Sequence, residues 1–209
     1  MIVVVDCGMG NLQSVVRGLE KAGGTVIVSS GIDDVAAADK IVLPGVGSFR
    51  HGMQNLERGG LRHVLTRKVR EEGTPLLGIC LGHQMLTAFS EEGTVEGLGW
   101  IDGNTTRLPA QTEDGPLRVP HLGWNTLHVR NDCSLLNDIP EEACFYFAHS
   151  YSVACNDDRT VVATTEYGRS FVSIVQNDNI FGVQFHPEKS HANGITVLRN
   201  FLNTDRHLS

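Results

Sequence analysis

The sequence predicts an α/β protein with a mostly parallel central sheet flanked by helices and an antiparallel extension. Two observations lead there. Up to Phe89, short apolar runs alternate with segments whose apolar residues recur every three or four positions. That order of strand, helix, strand, helix implies right-handed crossovers and parallel pairing. Between Gly97 and Tyr167 the apolar pieces, such as Phe145–Phe147 and Val161–Thr164, become short and are split by polar turns. Antiparallel strands have that pattern.

Taken in order, Ile2–Val5 is an apolar strand that runs into the turn Asp6-Cys7-Gly8-Met9-Gly10-Asn11. Leu12, Val15, Val16, Leu19 and Ala22 then follow helical spacing, and Gly23-Gly24 stops that helix. Val26–Val28 and Ile41–Leu43 are buried strands, the second closed by Pro44-Gly45-Val46-Gly47. Leu61, Val64, Leu65 and Val69 mark an amphipathic helix before Gly73-Thr74-Pro75. Leu76–Ile79 is a strand, and Leu81, Met85, Leu86 and Phe89 predict a helix behind it. Val172–Val175 and Ile180–Gln184 form a hairpin across Asn177-Asp178-Asn179. Ile195, Leu198, Phe201 and Leu202 suit a last helix, and Thr204–Ser209 a frayed tail.

With 209 residues, 41% hydrophobic and 20% charged, the chain is expected to form one domain, 1–209, with a sizeable core. No apolar run nears the roughly 20 residues that span a bilayer, and no basic stretch precedes the first one. A cytoplasmic location and no membrane partner are therefore expected. A formal net charge of -7 argues against a general nucleic-acid surface. The five cysteines, an odd number without close pairs, fit neither a disulfide framework nor a thiolate zinc site.

One cysteine stands apart. Gly78 and Gly82 flank Cys80 two residues away on each side, where a strand hands over to a helix. That spacing permits a sharp nucleophile elbow, which exposes the sulfur near helix N–H groups that favour a thiolate. A buried structural cysteine is the bland alternative. Far downstream, His186 and Glu188 are separated by Pro187, and residues two apart in an extended segment share a face. Thiol, imidazole and carboxylate together equip a site for nucleophilic attack on an amide. The developing oxyanion needs N–H donors. Leu81, just after the cysteine, and the Gly45-Val46 peptides, on a strand expected beside it, are the candidates. Gln84 lies one helical turn from Cys80 and so on the same side. No metal or cofactor is expected; His121 and His149 could be ligands only if the fold happened to bring them together.

GICLGHQ at 78–84 together with GVQFHPEKS at 182–190 resembles the class I (triad) glutamine amidotransferases. DCGMGN at 6–11, LPGVGSF at 43–49, PHLGWN at 120–125 and YFAHSY at 146–151 resemble, more narrowly, the glutaminase subunits of imidazole glycerol phosphate synthases. The resemblance implies a thioester on Cys80, with His186 and Glu188 as its partners and Gly45, Val46 and Leu81 at the oxyanion. It implies that Gln84 and the Ser150-Tyr151-Ser152 backbone grip L-glutamine. Asn11, Trp124, Tyr146 and Lys189 match positions near the interface with a (β/α)8-barrel synthase subunit, which receives the ammonia. Each has a bland reading: a turn former, a core filler, an inward strand residue and a solvated charge.

Two departures stand out. Cys7 replaces the usual aromatic after the first aspartate, and His83 replaces the commoner methionine, either tuning the pocket or facing solvent. SEEGTVEGLGWIDG at 90–103 and EKSHANG at 188–194 resemble paralogues that feed ammonia to surface-sugar biosynthesis. A stand-alone cysteine peptidase or amidohydrolase and a catalytically idle binding subunit are the readings from other classes.

Overall fold

The computed structural model describes residues 1–113 and 115–205. A twelve-stranded mixed sheet runs through the molecule. From one edge its strands are Val26–Ser29, Ile2–Val5, Lys40–Gly45, Leu76–Cys80 and Ile180–Val183, all parallel to their neighbours. Beyond them lie Ser170–Asn177, Tyr151–Cys155 and Ile101–Arg107, each antiparallel to the last. The parallel part and its antiparallel extension thus meet at the 180–183 strand.

Alternation along the parallel strands divides the core in two. Val3, Val5, Ile41 and Leu43 pack on one face against Phe49, Leu56 and Leu65 from the helices Phe49–Arg58 and Leu61–Thr66. Val4, Val42 and Leu77 pack on the other against Leu19, Leu198 and Phe201, from the helices Leu12–Lys21 and His191–Leu202. Both faces are covered, so the strands are continuously apolar, as parallel strands should be.

Several boundaries depart from the sequence expectation, each for a local reason. The helix after Cys80 ends at Met85, and Phe89 lies in a strand, Thr87–Ser90. The returning chain takes the helix's last carbonyls: Leu98 N–H donates to Met85 O at 2.9 Å and Trp100 N–H to Leu86 O at 2.9 Å. The helix Phe49–Arg58 escapes a search for apolar runs because its sequence is polar, yet Phe49, Met53 and Leu56 give it a buried stripe. Continuing from Leu61–Thr66, residues Arg67–Glu71 form a π turn. In the hairpin Asn177 pairs with Ile180, so the loop is only Asp178-Asn179, and Asp178 takes φ 51°. Thr204 is not frayed: it is buried, and its hydroxyl donates to Phe201 O at 2.8 Å. The rest of the expected tail, 206–209, lies outside the described residues.

His83 does not face solvent. It is 1% exposed and packs against Gly182, where a Cβ would lie 2.3 Å from its Nδ1. Neither ring nitrogen has a hydrogen-bond partner, and burial pushes the imidazole down to about 3. An unfolded histidine binds a proton near pH 6.5, so between there and about pH 3 the unfolded chain holds the extra proton. Stability contributed by the neutral ring is therefore present above about pH 6.5 and is lost as pH falls. Urea midpoints measured from pH 7 to 4 should fall with acidity. His83→Met should flatten that slope by about one proton, whereas an unchanged slope would show that the ring is protonated or solvated in the folded chain.

Candidate active site

The cleft opens outside the carboxyl ends of the parallel strands, the usual place for sites in open α/β sheets. Two close approaches build its floor. A Cβ at Gly82 would sit 1.7 Å from Leu43 O, and one at Gly78 would sit 2.8 Å from both Gly82 C and His83 N. Only glycines let the chain turn this tightly against the neighbouring strand. Between them Cys80 is forced to φ 53°, ψ -104°, a region that costs a non-glycine residue about 1–3 kcal/mol. The sulfur is thereby lifted off the sheet into the cleft, although Cys80 as a residue stays 6% exposed.

His186 follows the 180–183 strand, which pairs in parallel with the strand that ends at Cys80. Its Nδ1 lies 2.8 Å from Glu188 Oε1, which fixes the ring and leaves Nε2 for the thiol. Burial opposes charge on this imidazole, yet hydrogen bonds and coulombic attraction from Cys80 and Glu188 prevail and raise it to about 10. The ring is therefore a strong acceptor for the thiol proton. Ser190 braces the turn: its hydroxyl donates to His186 O at 2.7 Å and accepts from Tyr146 N–H at 3.0 Å. Gly18 admits the turn beside the first helix, where a Cβ would lie 3.4 Å from Glu188 Cβ.

The other sequence-selected residues fall into groups. Gly45 pairs with Cys80 in parallel register, and Val46 and Leu81 line the cleft. Gln84 is buried, donating to Tyr151 O at 2.8 Å and to Gln184 Oε1 at 3.1 Å. Ser150 and Tyr151 line the cleft. Ser152 is buried in the next strand opposite Thr106 and borders a different depression, because sheet pairing carries it away from the sulfur. Trp124 and Tyr146 are cross-strand partners with rings 5.8 Å apart, and Lys189 Nζ lies 5.8 Å over the Tyr146 ring. Trp124, 47% exposed, is no core filler. The Asn11 side chain caps the Leu12–Lys21 helix, accepting from Ser14 N–H at 3.3 Å.

Sequence reasoning gave no role to Gln184 or Glu92, and weighed His149 only as a metal ligand. Gln184 is fully buried, and its amide donates to Cys80 Sγ at 3.6 Å. Its signal was a lone amide in an otherwise apolar strand end. Glu92 lines the cleft and accepts from Phe49 N–H at 2.8 Å, capping the helix behind the Gly45-Val46 loop. His149 also lines the cleft and bonds His121. The enclosed volume, about 240 Å³, is small and suits a ligand of amino-acid size.

A family model described as glutamine amidotransferase class-I matches residues 3–204. The chain is 48% identical to the imidazole glycerol phosphate synthase subunit HisH of Natronomonas pharaonis, covering 96% of this chain and 93% of that protein. It is 44% identical to the imidazole glycerol phosphate synthase subunit HisH 2 of Methanococcus maripaludis, over 97% and 98% of the two chains. Among solved structures it resembles PurLQS from Thermotoga maritima, with a TM-score of 0.71, 23% identity and 97% of each chain covered, a likeness of fold. With its sulfur elbow and paired imidazole and carboxylate, this chain belongs to the class-I glutamine amidotransferases, in the family of the HisH subunits of imidazole glycerol phosphate synthase.

Proposed function

We propose that the chain, acting as one glutamine amidotransferase domain over 1–209, hydrolyses L-glutamine to glutamate and ammonia. The ammonia passes to a (β/α)8-barrel synthase subunit of a cytoplasmic heterodimer, which makes imidazole glycerol phosphate and an aminoimidazole carboxamide ribonucleotide in histidine biosynthesis. The observation that supports the reading is Cys80 on its strained elbow in one small cleft, with the His186–Glu188 pair, 2.8 Å apart, following the neighbouring strand. The surface-sugar reading drawn from 90–103 and 188–194 is not adopted, because relatives matched over nearly the whole chain bear the imidazole glycerol phosphate synthase name.

The steps follow from the positions of the groups. Cys80 sulfur attacks the side-chain amide carbon of glutamine, and the thiol proton moves to His186. The oxyanion formed faces the Gly45-Val46 peptide and the Leu81 N–H. His186 returns its proton to the amide nitrogen, the C–N bond breaks, and ammonia leaves a glutamyl thioester. Water then attacks the thioester carbon, giving its proton to His186. Collapse breaks the C–S bond, releases glutamate and restores the thiol. Glu188 holds the imidazole in the orientation that both transfers need.

Gln84, Ser150 and Tyr151 form the wall for the amino-acid end of glutamine, and Ser152 lies outside it. Among the described residues that line the cleft, Glu92 is the acid, and its charge suits the α-ammonium. Leu122, Trp124 and Val46 are exposed apolar side chains around the opening, and with Tyr146, Lys189 and Asn11 they form the surface assigned to the barrel subunit. No helix among the described residues is long and apolar enough to cross a membrane.

Cys80→Ala should abolish glutamine hydrolysis by the complex while leaving the partner's ammonia-fed reaction intact. Assay with glutamine and then with ammonium decides the point, and retained glutamine turnover would defeat the assignment. Glu92→Gln keeps a helix-capping oxygen but loses the charge. It should raise KM for glutamine about tenfold, equivalent to ~1.4 kcal/mol, with a smaller change in kcat. An unaltered KM would remove Glu92 from the binding wall.

A further inference from the structure

His121 and His149 stand directly opposite each other in the antiparallel pair His121–Thr126 and Cys144–His149. Opposed residues in such a pair share a face, and here the rings meet, with His121 Nδ1 at 3.1 Å from His149 Nε2. The other nitrogen of His149, Nδ1, lies 2.8 Å from Tyr151 O. A carbonyl only accepts, so the His149 hydrogen sits on Nδ1 and its Nε2 becomes an acceptor. His121 must then carry its own hydrogen on Nδ1. Burial keeps both rings uncharged, pushing His149 down to about 3 and His121 to about 4.

The same Tyr151 carbonyl accepts from Gln84 Nε2. Gln84 shares that amide with Gln184 Oε1, and Gln184 Nε2 faces the Cys80 sulfur at 3.6 Å. One carbonyl therefore sets the direction of two amides. Because it cannot donate, Gln84 turns its N–H groups inward and Gln184 turns its own toward sulfur. Two runs of hydrogen bonds, one from His121 through His149 and one from the sulfur through Gln184 and Gln84, thus meet at the Tyr151 carbonyl, whose position both share. His121 itself does not line the cleft, whereas His149 does. It is held by stacking, with ring centroids 3.9 Å from Tyr167 and 5.0 Å from Phe147.

We propose that His121 is a positioning residue for glutamine hydrolysis: through His149 and the Tyr151 carbonyl it holds the Gln84–Gln184 amides with their N–H groups toward Cys80. The proposal rests on the glutaminase reading of the same cleft. His121→Phe keeps the stacking but removes the donor, and His121→Asn returns an N–H near the Nδ1 position. In the full chain bound to its synthase partner, H121F should lower kcat/KM for glutamine about thirtyfold, and H121N should recover to within about threefold of the parent. The ammonia-fed reaction should be unchanged in both.

Long-range ¹H–¹⁵N spectra of the histidine-labelled parent chain should show His121 and His149 both in the Nδ1–H form. An Nε2–H form of either ring overturns the proposal, even if H121F does not fold. So do parental turnover by H121F and equal losses in H121F and H121N, since an equal loss marks His121 as a structural residue only. Absence of glutamine turnover in the parent complex would instead strike the glutaminase reading, a result separable from the tautomer spectrum.

Discussion

The site depends on one contact between two backbones. The segment after Cys80 presses against the carbonyl of Leu43 so closely that residue 82 has no room for a side-chain carbon. Because that approach is fixed, Cys80 has no relaxed backbone conformation available and takes a positive φ. The buried side chains of Leu77, Ile79, Leu81 and Met85 on either side offset the strain. A nucleophile on a loop could relax; one wedged between a parallel strand and a packed helix cannot. The same contact sets the Lys40–Gly45 strand in register with the elbow, so Gly45 ends beside the sulfur. The placements of Cys80 and of the Gly45-Val46 loop are two consequences of a single piece of packing.

Around that point the polar groups are organised by what each can donate. Glu188 can only accept, so it fixes one nitrogen of His186 and frees the other for sulfur. The Tyr151 carbonyl can only accept, so the two glutamine amides line up with an N–H toward sulfur. Cys80 thus has an N–H donor in Gln184 and, following the neighbouring strand, an oriented imidazole in His186. In a buried site such directed groups act more strongly than they could in water. Glu188 Oε2 is buried without a hydrogen-bond partner, so its charge is directed at the imidazole alone. His83 shows the other side of burial: with no partner for either nitrogen it serves as a neutral filler against Gly182.

What the sequence reveals and what it hides divide along physical lines. Gly78, Cys80 and Gly82 are legible because the steric demand of the elbow is local. His186 and Glu188 are legible because two residues of extended chain suffice to bring them to one face. The hairpin and the first and last helices announce themselves by periodicity and turn residues. Gln184, Glu92 and the His121–His149 pair are not legible in that way. Their neighbours are set by register and by chain segments far apart in sequence, as when His121 meets His149 across an antiparallel ladder. The early end of the helix at Met85 is hidden for the same reason, since the chain from Leu98 onward claims its carbonyls. Surface and interior also resist local reading: Trp124 is half exposed while His83 is sealed, the reverse of what their hydrophobicities suggest.

The rim of the cleft carries the argument from chemistry to assembly. Val46 is at once an exposed apolar side chain and a neighbour of the sulfur, and Leu122 and Trp124 continue the apolar surface on the facing strand. An amide hydrolase that served itself would gain from a polar, wetted mouth through which products could leave. A chain whose product is consumed elsewhere needs a mouth that a second protein can seal. Apolar rim residues next to the Gly45-Val46 loop meet that need, because covering them removes water from the mouth of the cleft. Val46 belongs both to the exposed apolar rim and to the lining of the cleft.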